Sequence, residues 1–423
     1  MNRIWRILYN YFVLPLLFAF IKVASIFNAK IKQGITDRAK IFEELILNFA
    51  DINRRKKMIW FHSSSLGEFE QAKPIIEKIK DKNCNILVTF FSPSGYRNSI
   101  KYPYKDVISY LPFDTAKNMH RFIQIVRPDT VVFMRYDIWP NMVWELHKHN
   151  IPMFIVDATM RNNSRRKLPA VENFHKSLYN CFTKILTVSE EDKQNFNDFV
   201  EVKANVKSVG DTRFDRVYQK SLGAKNKKLF KNDFFMNKKV IVAGSTWEAD
   251  EEILLPTFTK LIKYCNDCVF IIVPHEPTIL HLEKLEHTLF GKAKTIRFSS
   301  LNNYSDEPII IIDSIGILLS LYYYADIAYV GGSFKQGIHN VLEPAVYGIP
   351  VLYGPKILNS QEAILLSDNN GGIIIDNLKN SYRSFKTLLE NEQYRHELGK
   401  KSKNYVLGNI GATEKIMQEI MAS

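Results

Sequence analysis

The sequence predicts two doubly wound α/β domains. Three observations carry that expectation. Short apolar runs alternate with helical patterns from Lys56 onward, these runs come in two batches, and the 423 residues exceed one ordinary core, which stops growing at roughly 250–300 residues. The runs are continuously apolar rather than alternating, as expected for strands of a parallel sheet covered on both faces.

The first batch comprises Met58–Phe61, "NILVTFF" (Asn85–Phe91), "TVVFM" (Thr130–Met134), "MFIVDA" (Met153–Ala158) and "KILTVS" (Lys184–Ser189). The second comprises "KVIVAGS" (Lys239–Ser245), "VFIIVP" (Val269–Pro274), "PIIIID" (Pro308–Asp313), "IAYVGGS" (Ile327–Ser333), "IPVLYGP" (Ile349–Pro355) and "GGIIID" (Gly371–Asp376). Strand and helix alternating in two batches give two domains. The divide is placed at "VGDTRFDRV" (Val209–Val217), before a lysine-rich stretch. That yields a first domain over 31–215, a second over 216–423, and a separate segment over 1–30.

Composition narrows the function classes. Hydrophobic residues are 46% and charged residues 24%, which excludes a disordered chain. The 57 Lys and Arg outnumber the 44 Asp and Glu, for a net charge of +13. Such an excess suits nucleic acid, an anionic membrane face or a phosphorylated substrate. No nucleic-acid motif or aromatic binding strip is present, so nucleic acid is the weakest of the three. The four cysteines fit a reducing compartment. Cys265 and Cys268 form a lone CxxC with no second pair for zinc, and are expected as reduced thiols.

Residues Trp5–Phe27, "WRILYNYFVLPLLFAFIKVASIF", are long enough to cross a bilayer. Lys22 inside the run and basic residues on both sides favour a helix in the interface of an anionic membrane, with a single span as the competing arrangement.

Two stretches carry the chemistry. "WFHSSSLGEFEQAKPII" (Trp60–Ile76) breaks from a strand into a serine- and glycine-rich turn, and Glu68 stands where the helix opens. An acid there complements the helix dipole. It also lies at the carboxyl end of the first strand, where open α/β sheets bind ligands. "YVGGSFKQGIHNVLEPAVYGIPVLYGP" (Tyr329–Pro355) ends a strand in glycines, with a helix expected to open around His339–Asn340 and to carry Glu343. Glycines and free helical N–H groups suit a phosphate. "AGSTWEADEEILL" (Ala243–Leu255), "VPHEP" (Val273–Pro277) and "DSIGILLSLYYYAD" (Asp313–Asp326) are further strand ends with small or polar residues, so a nucleotide site is the better reading.

These strings, together with "IWPN" (Ile138–Asn141) and "GDTRFDRV", resemble the 3-deoxy-D-manno-octulosonic acid (Kdo) transferase family, in the family's order and over nearly the whole chain. The resemblance implies a GT-B architecture of two facing Rossmann-like domains with an N-terminal membrane-associated helix. It also implies inverting transfer of Kdo from CMP-Kdo to a lipid A precursor, lipid IVA, at the cytoplasmic face of a Gram-negative inner membrane. Glu68 falls on the general base and Arg213 on a basic residue that stabilises transition-state charge. CMP contacts fall on Pro274, His275, Ile315, Gly316, Ile317, Asn340, Val341, Leu342 and Glu343. Two positions depart from the pattern. His275 stands where many members have arginine, and Arg135 where many have a glutamate, part of whose role passes to Asp137. No cofactor or metal is expected, since no paired-His spacing or DxD occurs. The clustered Arg161–Lys167 segment suits lipid A phosphates. Another nucleotide-sugar transferase or epimerase, or a catalytically silent membrane-bound nucleotide-binding protein, stands as the alternative. The sequence leaves the oligomeric state, the number of sugars added and the acyl preference open.

Overall fold

The computed structural model describes residues 3–422 and contains two compact units, Met1–Arg216 with Ile410–Ser423, and Val217–Asn409. Each is built on a seven-stranded, wholly parallel sheet. In the first unit the strands are β1 (Met58–Ser63), β2 (Asn85–Phe90), β3 (Val107–Tyr110), β4 (Thr130–Met134), β5 (Met153–Ala158), β6 (Lys184–Thr187) and β7 (Val206–Ser208). Their spatial order is β3-β2-β1-β4-β5-β6-β7. In the second they are β8 (Lys239–Thr246), β9 (Cys268–Pro274), β10 (Thr295–Arg297), β11 (Ile309–Ile311), β12 (Ile327–Val330), β13 (Val351–Tyr353) and β14 (Gly372–Ile374). Their order is β10-β11-β9-β8-β12-β13-β14.

Every residue of β1, β2, β4 and β5 is buried, because helices cover both faces of the sheet, which is why these strands read as unbroken apolar runs. In the first sheet the chain winds outward from β1, then returns beside it and winds the other way; the second does the same from β8, except that β10 lies outside β11. The reversal falls between β1 and β4 in the first unit and between β8 and β12 in the second. Such switch points leave a crevice at the carboxyl ends of the strands.

The C-terminal segment departs from the expected division, which assigned everything after residue 215 to the second domain. The last helix, Ala412–Met421, packs on the first unit instead. Ala412, Ile416 and Ile420 are buried with Phe69, Ile75 and Ile76 of the helix Leu66–Lys80. Asp215 accepts hydrogen bonds from the amides of Gly411 (2.9 Å) and Thr413 (3.4 Å), supplying the acceptor that the helix start lacks. Glu419 pairs with Lys184 and Lys207.

The N-terminal helix runs from Arg3 to Phe27 and is long and apolar enough to cross a membrane. One face is tied to the first unit. Tyr9 and Leu14 are buried there, and the Tyr9 hydroxyl donates to Asp114 Oδ2 (2.9 Å). Asn10 and Asn141 exchange amide hydrogen bonds (3.0 and 2.9 Å). Phe12, Leu16, Phe20, Val23 and Ile26 on the remaining surface are exposed.

A second correction concerns Cys265 and Cys268, expected as reduced thiols. The structure joins them as a disulfide, with Cα atoms 5.7 Å apart. Cys265 ends one helix three residues before Cys268 starts β9, and that tight turn brings the sulfurs together. Cys84 and Cys181 are free.

Candidate active site and nucleotide cradle

In the first unit, Ser65 caps the helix Leu66–Lys80, its hydroxyl accepting from the Glu68 amide (3.4 Å). The Glu68 carboxylate folds back to accept from the Ser64 amide (2.7 Å). It is therefore a capping acid, and it stands just past β1 at the switch point. Burial pushes its carboxyl above the ordinary value and the Ser64 hydrogen bond pulls against that. The negative charge of Asp137 adds to the rise, and His62 opposes it. Burial, rather than the helix dipole, thus sets the direction for this carboxyl.

Asp137 follows β4 on the other side of the switch point. Its Oδ2 lies 2.9 Å from Nε2 of the fully buried His62. An ionised carboxylate only accepts, so Nε2 bears the proton. In the neutral ring Nδ1 then accepts from the Thr89 hydroxyl (2.9 Å), whose oxygen accepts from the Trp60 indole N–H (2.7 Å). The chain Trp60–Thr89–His62–Asp137 fixes the imidazole and holds the second carboxylate beside Glu68.

Arg135 lies in the turn between β4 and Asp137, with a left-handed backbone (φ 61°) and a buried Nε lacking a hydrogen-bond partner. Its positive charge acts on Asp157, at the end of β5. Burial and the neighbouring Asp211 push the Asp157 carboxyl up to about 7; hydrogen bonds from Thr212, and then the Arg135 charge, oppose them. Arg213 opens the next helix with its guanidinium on Asp211 (Nε–Oδ2 2.9 Å, Nη2–Oδ2 2.5 Å). Arg135 and Arg213 thus each sit beside buried acids at the same sheet edge as Glu68.

In the second unit a cavity of about 660 Å³ opens at the switch point between β8 and β12. Gly316, His339, Asn340 and Glu343 line it, joined by Lys220, Lys227, Ser245 and Tyr322. Gly331 permits the close approach of the two strands: a Cβ there would stand 2.2 Å from the Ser245 carbonyl oxygen. Asp250 pins the glycine loop, accepting from the Gly332 amide (2.8 Å), the Tyr329 hydroxyl (2.6 Å) and the Trp247 amide (2.9 Å). Glu343 accepts from Asn340 Nδ2 (3.3 Å); burial pushes its carboxyl up, while Lys220 and Asn340 oppose the shift.

His275 follows Pro274 at the end of β9 and stacks between Trp247 (4.6 Å) and His339 (4.4 Å). The Trp247 indole donates to His339 Nε2 (2.9 Å), so the neutral ring carries its proton on Nδ1. The other expected contacts divide. The Val341 and Leu342 side chains are in the core, and the Leu342 amide is already taken by Asn340 Oδ1 (3.2 Å). Ile315 is 82% exposed, and Ile317 packs toward the core. The helix expected to open at His339–Asn340 spans only Leu342–Ala345. One turn sums few peptide dipoles, so positive charge at the cavity comes from Lys220 and Lys227 instead.

A family model described as 3-deoxy-D-manno-octulosonic-acid transferase (kdotransferase) matches residues 37–216. A 3-deoxy-D-manno-octulosonic acid transferase of Aquifex aeolicus is 30% identical over 302 residues, 71% of this chain and 76% of that one. The chain belongs to the 3-deoxy-D-manno-octulosonic acid transferase family. It is accordingly a glycosyltransferase of lipopolysaccharide synthesis that takes a nucleotide-sugar donor and a glycolipid acceptor. The Haemophilus influenzae transferase is 25% identical, with 98% of this chain and 97% of that one covered. A bifunctional glycosyltransferase/methyltransferase of Fusobacterium nucleatum is 29% identical over 84% of this chain, which spans 56% of that protein's length. Among solved structures, the UDP-GlcNAc 2-epimerase of Neisseria meningitidis shares the fold, with a TM-score of 0.62 at 17% identity over 87% of this chain and all of that one.

Several lining residues of this Kdo transferase escaped the sequence reading. Lys220 and Lys227 lie in a stretch read as a domain boundary. The available signal was helical period, since Lys220 falls seven residues, two turns, after Arg213. His62 had no such signal as a partner of Asp137, because 75 residues separate them.

Proposed function

We propose that the protein transfers Kdo from CMP-Kdo to the lipid A precursor lipid IVA with inversion, at the cytoplasmic face of the inner membrane. The observation that carries the chemistry is Glu68, a buried carboxylate held by the Ser64 amide at the first sheet's switch point, its carboxyl raised by burial and by the charge of Asp137. Glu68 takes the proton of an acceptor sugar hydroxyl as its oxygen attacks the anomeric carbon. The bond from that carbon to the CMP phosphate oxygen breaks on the opposite face, which inverts the centre. A raised carboxyl suits this role, because a base works best with a pKa near the operating pH. Asp137, held by His62, takes part of the role of the family's glutamate. Arg135 beside Asp157, and Arg213 on Asp211, supply positive charge at that edge for the transition state.

The donor's cytidylate fits the second unit's cavity. Glu343 and Asn340 face the ribose, the backbone at Gly316 and Ser245 lies along the nucleotide, and Lys220 meets the phosphate. His275 and His339 present an imidazole stack where arginine is common. Pro274, Ile315, Ile317, Val341 and Leu342 shape the loops through their backbone. Transfer without a metal is part of the proposal. The apolar outer face of the N-terminal helix suits the membrane interface, with the hydrogen-bonded inner face holding the enzyme to it.

Incubation with CMP-Kdo and lipid IVA, followed by mass spectrometry, tests the reading. Kdo addition by the native protein, lost in Glu68→Gln with CMP binding retained, is the expected result. Equal transfer by Glu68→Gln, or displacement of CMP-Kdo by UDP-sugars, overturns it.

A further inference from the structure

Away from both sites, two imidazoles converge on one carboxylate oxygen. His120, on the helix Ala116–Val126, places Nδ1 2.7 Å from Glu145 Oε1. His149, capping the helix Pro140–Lys148, places Nε2 3.2 Å from the same oxygen. All three candidate ligand atoms lie within 4.8 Å of one another. Around a tetrahedral zinc with bonds of about 2.0–2.1 Å, ligand atoms stand roughly 3.3–3.4 Å apart, so small side-chain rotations bring the three into register. The two rings are near-parallel with centroids 6.0 Å apart, so both can edge toward one ion.

The surroundings favour a cation. Glu145 is buried, its side chain 8% exposed, and Lys148 already places an ammonium 3.2 Å from Oε1. The far nitrogen of His120, Nε2, is 2.7 Å from the Gln124 side-chain amide. Amide oxygen and nitrogen exchange places by a simple flip, which gives Nε2–H an acceptor and frees Nδ1 to bind metal, the arrangement usual behind a ligating histidine. Lys148 is half exposed and can swing away.

We propose that His120, Glu145 and His149 form a binding site for a divalent transition metal of the zinc class, a two-histidine, one-carboxylate set with water in the open position. The ion cross-links two helices that flank the seat of the N-terminal helix. Asp114, just before the first, accepts from Tyr9, and Asn141, in the first turn of the second, pairs with Asn10. The metal therefore stiffens the platform on which that helix rests.

The test is calorimetric titration of Zn²⁺ into the untagged full chain carrying Cys265→Ser and Cys268→Ser, so that no thiolate from a reduced Cys265–Cys268 pair can compete. One equivalent is expected to bind, and His120→Ala or His149→Ala to weaken binding at least tenfold. Zn²⁺ should raise the melting temperature of the parent protein and not of the double variant His120→Ala, His149→Ala. Both histidines are partly exposed, so the variants are expected to fold; His120→Gln keeps a polar group of similar size as a second check. No binding by the parent, or binding and thermal shift unchanged in both histidine variants, overturns the proposal.

Discussion

Asp137 Oδ2 lies 2.9 Å from Nε2 of His62, a residue of β1 with no solvent exposure, so a carboxylate following β4 is fixed by a side chain from the neighbouring strand. This contact bridges the switch point of the first sheet and places a second negative charge near Glu68. Asp137→Asn removes a charge that raises the Glu68 carboxyl. The acid limb of the kcat/KM profile is expected to move to lower pH, with donor binding unchanged. An acid limb that stays in place would separate Asp137 from the base.

Glu68→Gln removes the proposed general base and is expected to slow transfer by roughly 10²–10⁴-fold, the usual worth of such a group. Calorimetry with CMP should show donor affinity within about twofold of the native protein, since the nucleotide cavity lies in the other unit.

Lys220 lines the nucleotide cavity and acts electrostatically on Glu343. Lys220→Ala is expected to weaken CMP binding about tenfold, or about 1.4 kcal/mol. Because an exposed ammonium is screened by salt, the difference from native should shrink as ionic strength rises. Titration of CMP at two salt concentrations checks both.

The N-terminal helix gives a prediction that separates its two faces. Phe12→Asp with Phe20→Asp alters only exposed positions and should release the protein from vesicles containing anionic lipid, with the melting temperature unchanged. Tyr9→Phe removes the hydrogen bond to the buried Asp114 and should lower stability by about 1–3 kcal/mol, read by urea denaturation, while leaving vesicle binding intact. Deleting residues 1–30 is a poorer experiment, because it also uncovers Trp144 and Phe174, which Trp5 and Tyr9 cover.

Burial pushes the carboxyls of Asp114 and Asp157 up to about 7 from an ordinary 3.8. Between those values the folded chain keeps protons that the unfolded chain releases. The stability from both groups is therefore fully present near pH 4 and is lost as pH rises to about 7. The urea midpoint should fall across that window on their account, and Asp114→Asn, which cannot ionise, should make the fall shallower. An equal slope in the variant would show that Asp114 does not titrate there.

Most of the sheet strands were legible because parallel strands buried on both faces read as unbroken apolar runs, and β1, β4, β8 and β12 lie where such runs occur; β3, β7 and β10, three or four residues long at the sheet edges, were not among the runs read. Glu68 and the Gly331–Glu343 loop were legible because their chemistry is local: a capping serine, glycines and an acid within a few residues. The disulfide was misread because CxxC spacing alone does not report the turn that brings the sulfurs together. The helix at Leu342 was expected to start earlier because spacing gives no account of how a glycine-rich loop wraps before a helix begins.

By itself the sequence determined two parallel α/β sheets, an apolar N-terminal helix and family membership, because periodicity, composition and motif order are properties of neighbouring residues. Only the tertiary structure decided that the last helix belongs to the first unit, that His62 holds Asp137, that Lys220 lines the nucleotide cavity, and that His120 and His149 meet at Glu145. Each of these joins residues on different elements, and such encounters are fixed by packing rather than by spacing along the chain.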